Sequence, residues 1–151
     1  MGQLSRTMRN LIWPLAILLL AVPLLGEDTP TSFTGATVVN AEKANSLMKS
    51  GATMVDARII TEFIDAHIKG SISIPYRESS TRTVNFDASA DTFNLAKLPK
   101  DKNAPIIFYC NGPTCWKSYK ATVLTVRAGY KHVYWFRDGF PAWKASGLPV
   151  E

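Results

Sequence analysis

The chain has 151 residues, 46% hydrophobic and 19% charged, a balance that fits a folded globular protein and excludes a disordered one. Its formal charge of +5 includes Arg6 and Arg9 near the N-terminus. The other basic residues are scattered, with no basic block interleaved with aromatics, which argues against a nucleic-acid partner.

Residues 1–10 are polar and hold both of those arginines, and Leu11 to Leu25 are then apolar, interrupted by Pro14 and Pro23 and followed by Glu27 and Asp28. About 15 apolar residues are short for a membrane span and usual for the core of a signal peptide. No small-x-small cleavage site succeeds the run, because Leu24 stands two residues before Gly26. Residues 1–28 are therefore read either as a signal peptide or as an N-terminal apolar helix that anchors the protein in a membrane. Arginines before the apolar run place the rest of the chain outside the cytoplasm, in a periplasmic or other extracytoplasmic space.

Residues 29–36 read as a Pro/Thr/Ser/Gly linker, and residues 37–151 as one α/β domain. Thr37 to Val39 suits a short strand. Asn40 suits an N-cap for a helix over Ala41 to Ser50, closed by Gly51. Thr53 to Asp56 reads as a buried strand ending on a carboxylate, followed by Asp56-Ala57-Arg58 and a short helix around Glu62-Phe63. Ser71 to Pro75 is a further short strand. Tyr76 to Asp91 is poor in apolar residues and reads as a long surface excursion or lid, with a helical turn near Leu95 to Leu98.

Ile106 to Tyr109 is apolar and β-prone and reads as a buried strand. It ends on Cys110, and Asn111-Gly112-Pro113-Thr114 cannot continue it. From about Lys117 to Ala128 the pattern turns helical, with Gly129 as the stop. Strand, tight loop and helix bring backbone N–H groups and a helix N-terminus around one point, a setting that favours a thiolate. Cys110 is thus the candidate nucleophile. Val133 to Phe136 is the last strand, Asp138-Gly139 a turn, and Phe140 to Ser146 a short helix ended by Gly147 and Pro149. Strands alternating with helices imply a central, mostly parallel sheet flanked by helices, with its active loops at the strands' C-terminal ends. Two thiols in one loop and two scattered histidines predict no metal site and no disulfide framework.

Several stretches in order carry a resemblance: Asp56-Ala57-Arg58, Glu62-Phe63, His67-Ile68-Lys69-Gly70-Ser71-Ile72-Ser73-Ile74-Pro75, Phe108-Tyr109-Cys110, Ala128 to Val133, and Gly139-Phe140-Pro141-Ala142-Trp143 through Glu151. In these the chain resembles a single-domain rhodanese, a sulfurtransferase. The resemblance implies an α/β fold and a Cys110 that carries sulfane sulfur as a persulfide, with no cofactor. It departs from the family at the loop. Rhodaneses have four residues between the cysteine and an Arg-Ser pair, whereas here the best match is Lys117-Ser118, two residues later. The second loop cysteine followed by tryptophan, Cys115-Trp116, is similar to a rhodanese-like subgroup.

The expected activity is transfer of a sulfane sulfur from a small anionic donor such as thiosulfate, through Cys110, to a thiol or cyanide-type acceptor, including a thiol protein. Asn111, Gly112, Pro113, Thr114, Trp116 and Lys117 are the candidate substrate-binding residues, with the backbone N–H groups of 111–116 facing the sulfur. Trp116 is read either as a wall of the site or as packing. Cys115 is read as a redox partner of Cys110, a structural bridge or a bystander. Asp56 and Arg58 either brace the loops or contact the anion, and His67 is expected to be structural. Two rival readings are a thiol–disulfide or oxyanion reductase built on Cys110 and Cys115, and a non-enzymatic sulfur-carrier or binding module. A phosphatase on the same fold is a lesser one, because a phosphate loop would end in arginine and not lysine.

Overall fold

Strands and helices alternate along the chain: β1 (Ala36–Val38), α1 (Ala41–Lys49), β2 (Thr53–Asp56), α2 (Ile60–Asp65), β3 (Ile72–Ser73), β4 (Ile106–Tyr109), α3 (Trp116–Arg127), β5 (Val133–Phe136) and α4 (Gly139–Ala145). The computed structural model describes residues 27–151. The expected signal peptide or anchor lies outside the described residues except for Glu27 and Asp28. Among the described residues, no helix is long and apolar enough to cross a membrane.

The five strands form one sheet in the order β1-β5-β4-β2-β3, every pair parallel. β4 lies at its centre, with Phe108 in register with Val55 on one side and Trp135 on the other. All four β4 residues are buried, as a strand covered on both faces requires, and this is why its sequence is a run of apolar residues without alternation. Ile107 and Tyr109 face a cluster with Met54, Phe140 and Trp143, into which α1 and α4 also pack. Ile106 and Phe108 face the opposite cluster with Val55, Ile74 and Ala121 of α3. Because all strands run the same way, the segments after β2, β3, β4 and β5 meet at one edge of the sheet, where α/β proteins place their sites.

Local signals explain much of this. The Asn40 side chain accepts from the Lys43 N–H at 2.9 Å and caps α1. β3 is shorter than the strand expected over Ser71 to Pro75, pairing with β2 only through Ile72 and Ser73. α4 begins at Gly139, so the expected turn residue is already helical.

Two segments are more firmly held than their composition suggests. The stretch read as a linker packs onto the domain: Thr29 is buried, and the Phe33 ring meets Tyr119 edge-on at 5.9 Å. The excursion after Tyr76 is clasped. Asp91 accepts from the Tyr76 hydroxyl at 2.7 Å, the backbone N–H groups of Ser79 and Ser80 at 2.7 Å each, and the Ser80 hydroxyl at 2.6 Å. Lys120 of α3, its side chain fully buried, reaches Glu78 at 2.9 Å and donates to the Ser80 hydroxyl at 2.8 Å. A buried lysine is tolerated only with such partners. Together these bonds convert a polar loop into a fixed wall.

Candidate active site

Cys110 directly follows β4, and its side chain is fully buried. The chain then turns through residues 111–115, closed by a hydrogen bond from the Cys115 N–H to the Gly112 carbonyl at 3.0 Å, and α3 starts at Trp116. Cys115 is the N-cap of α3, though its side chain caps nothing. The turn brings the Cα atoms of Cys110 and Cys115 to 6.3 Å, and the two sulfurs form a disulfide. This separation lies within the range a bridge needs.

One residue of α3 addresses the Cys110 sulfur. The Ser118 hydroxyl lies 3.0 Å from Sγ and the Ser118 N–H 3.4 Å from it. The Trp135 indole N–H donates to the same hydroxyl at 3.0 Å. In the bridged state Cys110 Sγ carries no hydrogen, so only the Ser118 hydroxyl can supply the proton of this contact. All three residues are completely buried, so these bonds act where water does not compete. The Cys115 carbonyl oxygen also stands 3.3 Å from Sγ, a neighbour that suits a thiol hydrogen and opposes a thiolate, so Ser118 is the counterweight.

Of the expected cage of N–H groups from residues 111–116, two positions do not contribute in the bridged loop. Pro113 has no N–H, and that of Cys115 is taken by Gly112. The donors come one turn later. Ser118 was visible only as the second half of Lys117-Ser118, and its value depends on Trp135, which is distant in sequence.

The other candidate residues divide by position. Asn111 is exposed and donates to Glu62 at 2.6 Å, tying the loop to α2. Gly112 is buried at φ 122°. The Pro113 carbonyl accepts from the Thr29 N–H at 2.8 Å and the Thr29 hydroxyl at 2.6 Å, while the guanidinium of Arg137 holds the Thr29 carbonyl at 2.8 Å. Thr114 is exposed. Trp116 is buried against Tyr119 at 5.3 Å between ring centres, and its indole N–H donates to the Glu27 carbonyl at 3.0 Å. The segment Glu27 to Thr29 is thus a strap across the cysteine loop. Gly139, the first residue of α4, supports the loop: at φ 65° its missing side chain lets it touch the Cys110 carbonyl and the Gly112 N–H, and the Phe140 N–H donates to the Cys110 carbonyl at 2.8 Å. Only glycine meets both demands.

Lys117 is half-buried and lines a groove of about 750 Å³ together with Ile59, Ile60, Tyr76, Arg77 and Lys97. Its one lining carboxylate, Glu78, is already paired with Lys120 and Arg82. Lys117, Arg77 and Lys97 make no ion pair among the described residues. The groove is therefore electropositive, and Lys117, in the first turn of α3, links it to the cysteine loop.

Asp56 and Arg58 are bound to each other. Their side chains form a buried bidentate pair, with Arg58 Nη2 at 2.6 Å from Asp56 Oδ2 and donating to the Ala66 carbonyl at 2.7 Å. The guanidinium also lies over the Phe140 ring at 4.2 Å. Burial works against its charge, but the hydrogen bonds and charge of Asp56 outweigh this and hold its pKa above the usual value. The Tyr109 hydroxyl donates to Asp56 at 2.6 Å and accepts from the Ile68 N–H at 3.2 Å. Burial, then the charge of Asp56, pushes its pKa up, so it stays neutral. His67 is structural: Nδ1 lies 2.8 Å from the Phe63 carbonyl and the ring stacks on Phe63 at 3.7 Å. Among the described residues no group of three or more His, Cys, Asp or Glu is arranged to hold a metal ion.

Comparison with known proteins gives a consistent picture. A family model described as Rhodanese-like domain matches residues 40–146. The chain is 31% identical over 114 residues to the HTH-type transcriptional regulator Rv0324 of Mycobacterium tuberculosis, covering 76% of this chain and 44% of that protein, so it spans less than half of that relative. It is 26% identical over 113 residues to Thiosulfate sulfurtransferase 16, chloroplastic, of Arabidopsis thaliana, covering 75% of this chain and 91% of that one. Among solved structures it is similar to the Alr3790 protein from Anabaena sp., with a TM-score of 0.56, 25% identity, and coverage of 75% of this chain and 79% of that one.

Proposed function

The chain belongs to the rhodanese-like domain family, and on that premise we propose that it is a sulfurtransferase in which Cys110 takes a sulfane sulfur from an anionic donor such as thiosulfate. The observation that carries this reading is the pair of Ser118 donors aimed at the Cys110 sulfur at the end of the central strand. A sulfur that must be a nucleophile, then a leaving group, gains from donors that favour its anion in a dry site.

The step begins from the open dithiol. The Cys110 thiolate attacks the outer sulfur of thiosulfate, the bond between the two donor sulfurs breaks, and sulfite leaves with its electron pair. The sulfur remains on Cys110 as a persulfide, which a thiol or cyanide-type acceptor removes. Lys117, Arg77 and Lys97 favour an anionic donor in the adjoining groove. The Arabidopsis relative bears the name of a thiosulfate sulfurtransferase, and that name supports the donor chosen. Export, as the segment over residues 1–28 suggests, would put the bridge in an oxidising compartment where such disulfides persist.

The test is sulfite or thiocyanate release by reduced protein. Cys110→Ser should abolish it while the domain stays folded by circular dichroism. Full activity in that variant would remove Cys110 from the reaction.

A further inference from the structure

Cys115 sits where it can do more than close a loop, and we infer that it resolves the Cys110 persulfide by attacking Cys110 Sγ, expelling hydrosulfide and forming the disulfide. The inference rests on the sulfur-loading reading above and extends it: the protein becomes a reductase that converts sulfane sulfur to sulfide. Three observations carry it. The two sulfurs are already joined, with Cα atoms 6.3 Å apart, so Cys115 Sγ reaches Cys110 Sγ without rearranging the sheet or α3. Cys115 occupies the N-cap of the twelve-residue helix α3 and makes no side-chain capping bond, so once the bridge is open nothing else engages its side chain as a cap and its thiolate is favoured by the helix dipole. The two residues also differ in exposure, Cys110 being fully buried and Cys115 half-buried.

That difference orders the chemistry. An external acceptor must uncover Cys110, a fully buried residue, to take the persulfide sulfur, whereas Cys115 is already held beside it by the loop. In the resolving step the Cys115 thiolate forms a bond to Cys110 Sγ. The bond between Cys110 Sγ and the sulfane sulfur breaks, and hydrosulfide departs with the electron pair. The two cysteines lose two electrons in becoming a disulfide, and the sulfane sulfur gains them. An external dithiol then closes the cycle. One of its thiolates attacks Sγ of Cys115, the less buried residue, and Cys110 leaves as the thiolate that Ser118 stabilises, which is the faster direction of exchange. The second thiol of the reductant releases Cys115, and the reductant departs as its own disulfide.

The experiment is a single turnover. Full-length protein is reduced, freed of reductant without air, and mixed with excess thiosulfate; sulfite, sulfide and intact mass are then measured. Wild type should release one sulfite and one sulfide per chain and finish two hydrogens lighter, as the disulfide. Cys115→Ser and Cys115→Ala should release the same sulfite, at least tenfold less sulfide, and finish heavier by one sulfur. Two replacements of different polarity, checked by near-ultraviolet circular dichroism, guard against a folding defect in either. Sulfide from the variants at the wild-type level would overturn the inference, as would a wild-type protein that keeps a stable persulfide. If neither wild type nor variant releases sulfite or gains sulfur, the loading reading itself fails and takes the inference with it.

Discussion

Replacing Ser118 by alanine separates the contribution of its hydroxyl from everything else in the loop. The hydroxyl stands 3.0 Å from Cys110 Sγ, and the helix N–H at 3.4 Å survives the change. A hydrogen bond to a charged partner contributes about 2 kcal/mol, so its loss should lower the thiolate population about 30-fold. The thiolate left behind is more basic and intrinsically more nucleophilic, and with a Brønsted slope of about 0.5 this returns about half of the loss on a logarithmic scale. The net expectation is alkylation of Cys110 slowed about fivefold at neutral pH. It should be read with iodoacetamide in a Cys115→Ser background, where Cys110 is the only thiol. The same change strands the buried Trp135 indole N–H, which should cost about 1–3 kcal/mol of stability in urea unfolding. Unchanged alkylation would show that Ser118 does not govern the sulfur, whatever happens to stability.

Two further predictions concern the frame around the site. Burial alone would raise the Asp91 carboxyl, but donors from Ser80, Tyr76 and Ser79 pull its pKa down from 3.8 to about 2, worth about 2 kcal/mol of stability. Because the folded value lies below the unfolded one, this contribution is complete above about pH 4 and disappears as the pH falls towards 2. Asp91→Asn should therefore lose about 2 kcal/mol at pH 7 in urea unfolding and show a flatter acid limb than wild type; parallel acid limbs would contradict the assignment. Gly139→Ala should destabilise the domain by about 2 kcal/mol or more, from a positive φ and a side chain driven against the Cys110 carbonyl. It should slow sulfite release as well, since the displaced backbone holds the cysteine loop; an unaltered melting temperature would refute this.

How far the sequence could be read depends on where each part's stability originates. β2 and β4 announce themselves because a parallel strand buried on both faces must be apolar throughout, and the Asn40 cap and the cysteine turn are written in neighbouring residues. The excursion after Tyr76 looks like a free lid because it lacks an apolar period; what fixes it is Asp91 and the buried Lys120, a lysine that pattern alone assigns to solvent. Thr29 belongs to a stretch with linker composition, yet it binds Pro113 from 84 positions away. Ser118 illustrates the same limit within the site. The motif marked its position, but the bond from Trp135 that aims its hydroxyl exists only once α3 is laid over β5.

The central claim is that Cys110 itself receives the sulfur, and one measurement addresses it without relying on turnover. Reduced Cys115→Ser protein is treated with thiosulfate, its free thiols are blocked, and the peptide spanning β4 and the loop is analysed by mass spectrometry. The account predicts one added sulfur on Cys110, with an equal amount of sulfite in solution, and none in a protein carrying Cys110→Ser as well. An unmodified Cys110 under conditions in which the reduced protein is folded and its thiol is alkylated freely would contradict it.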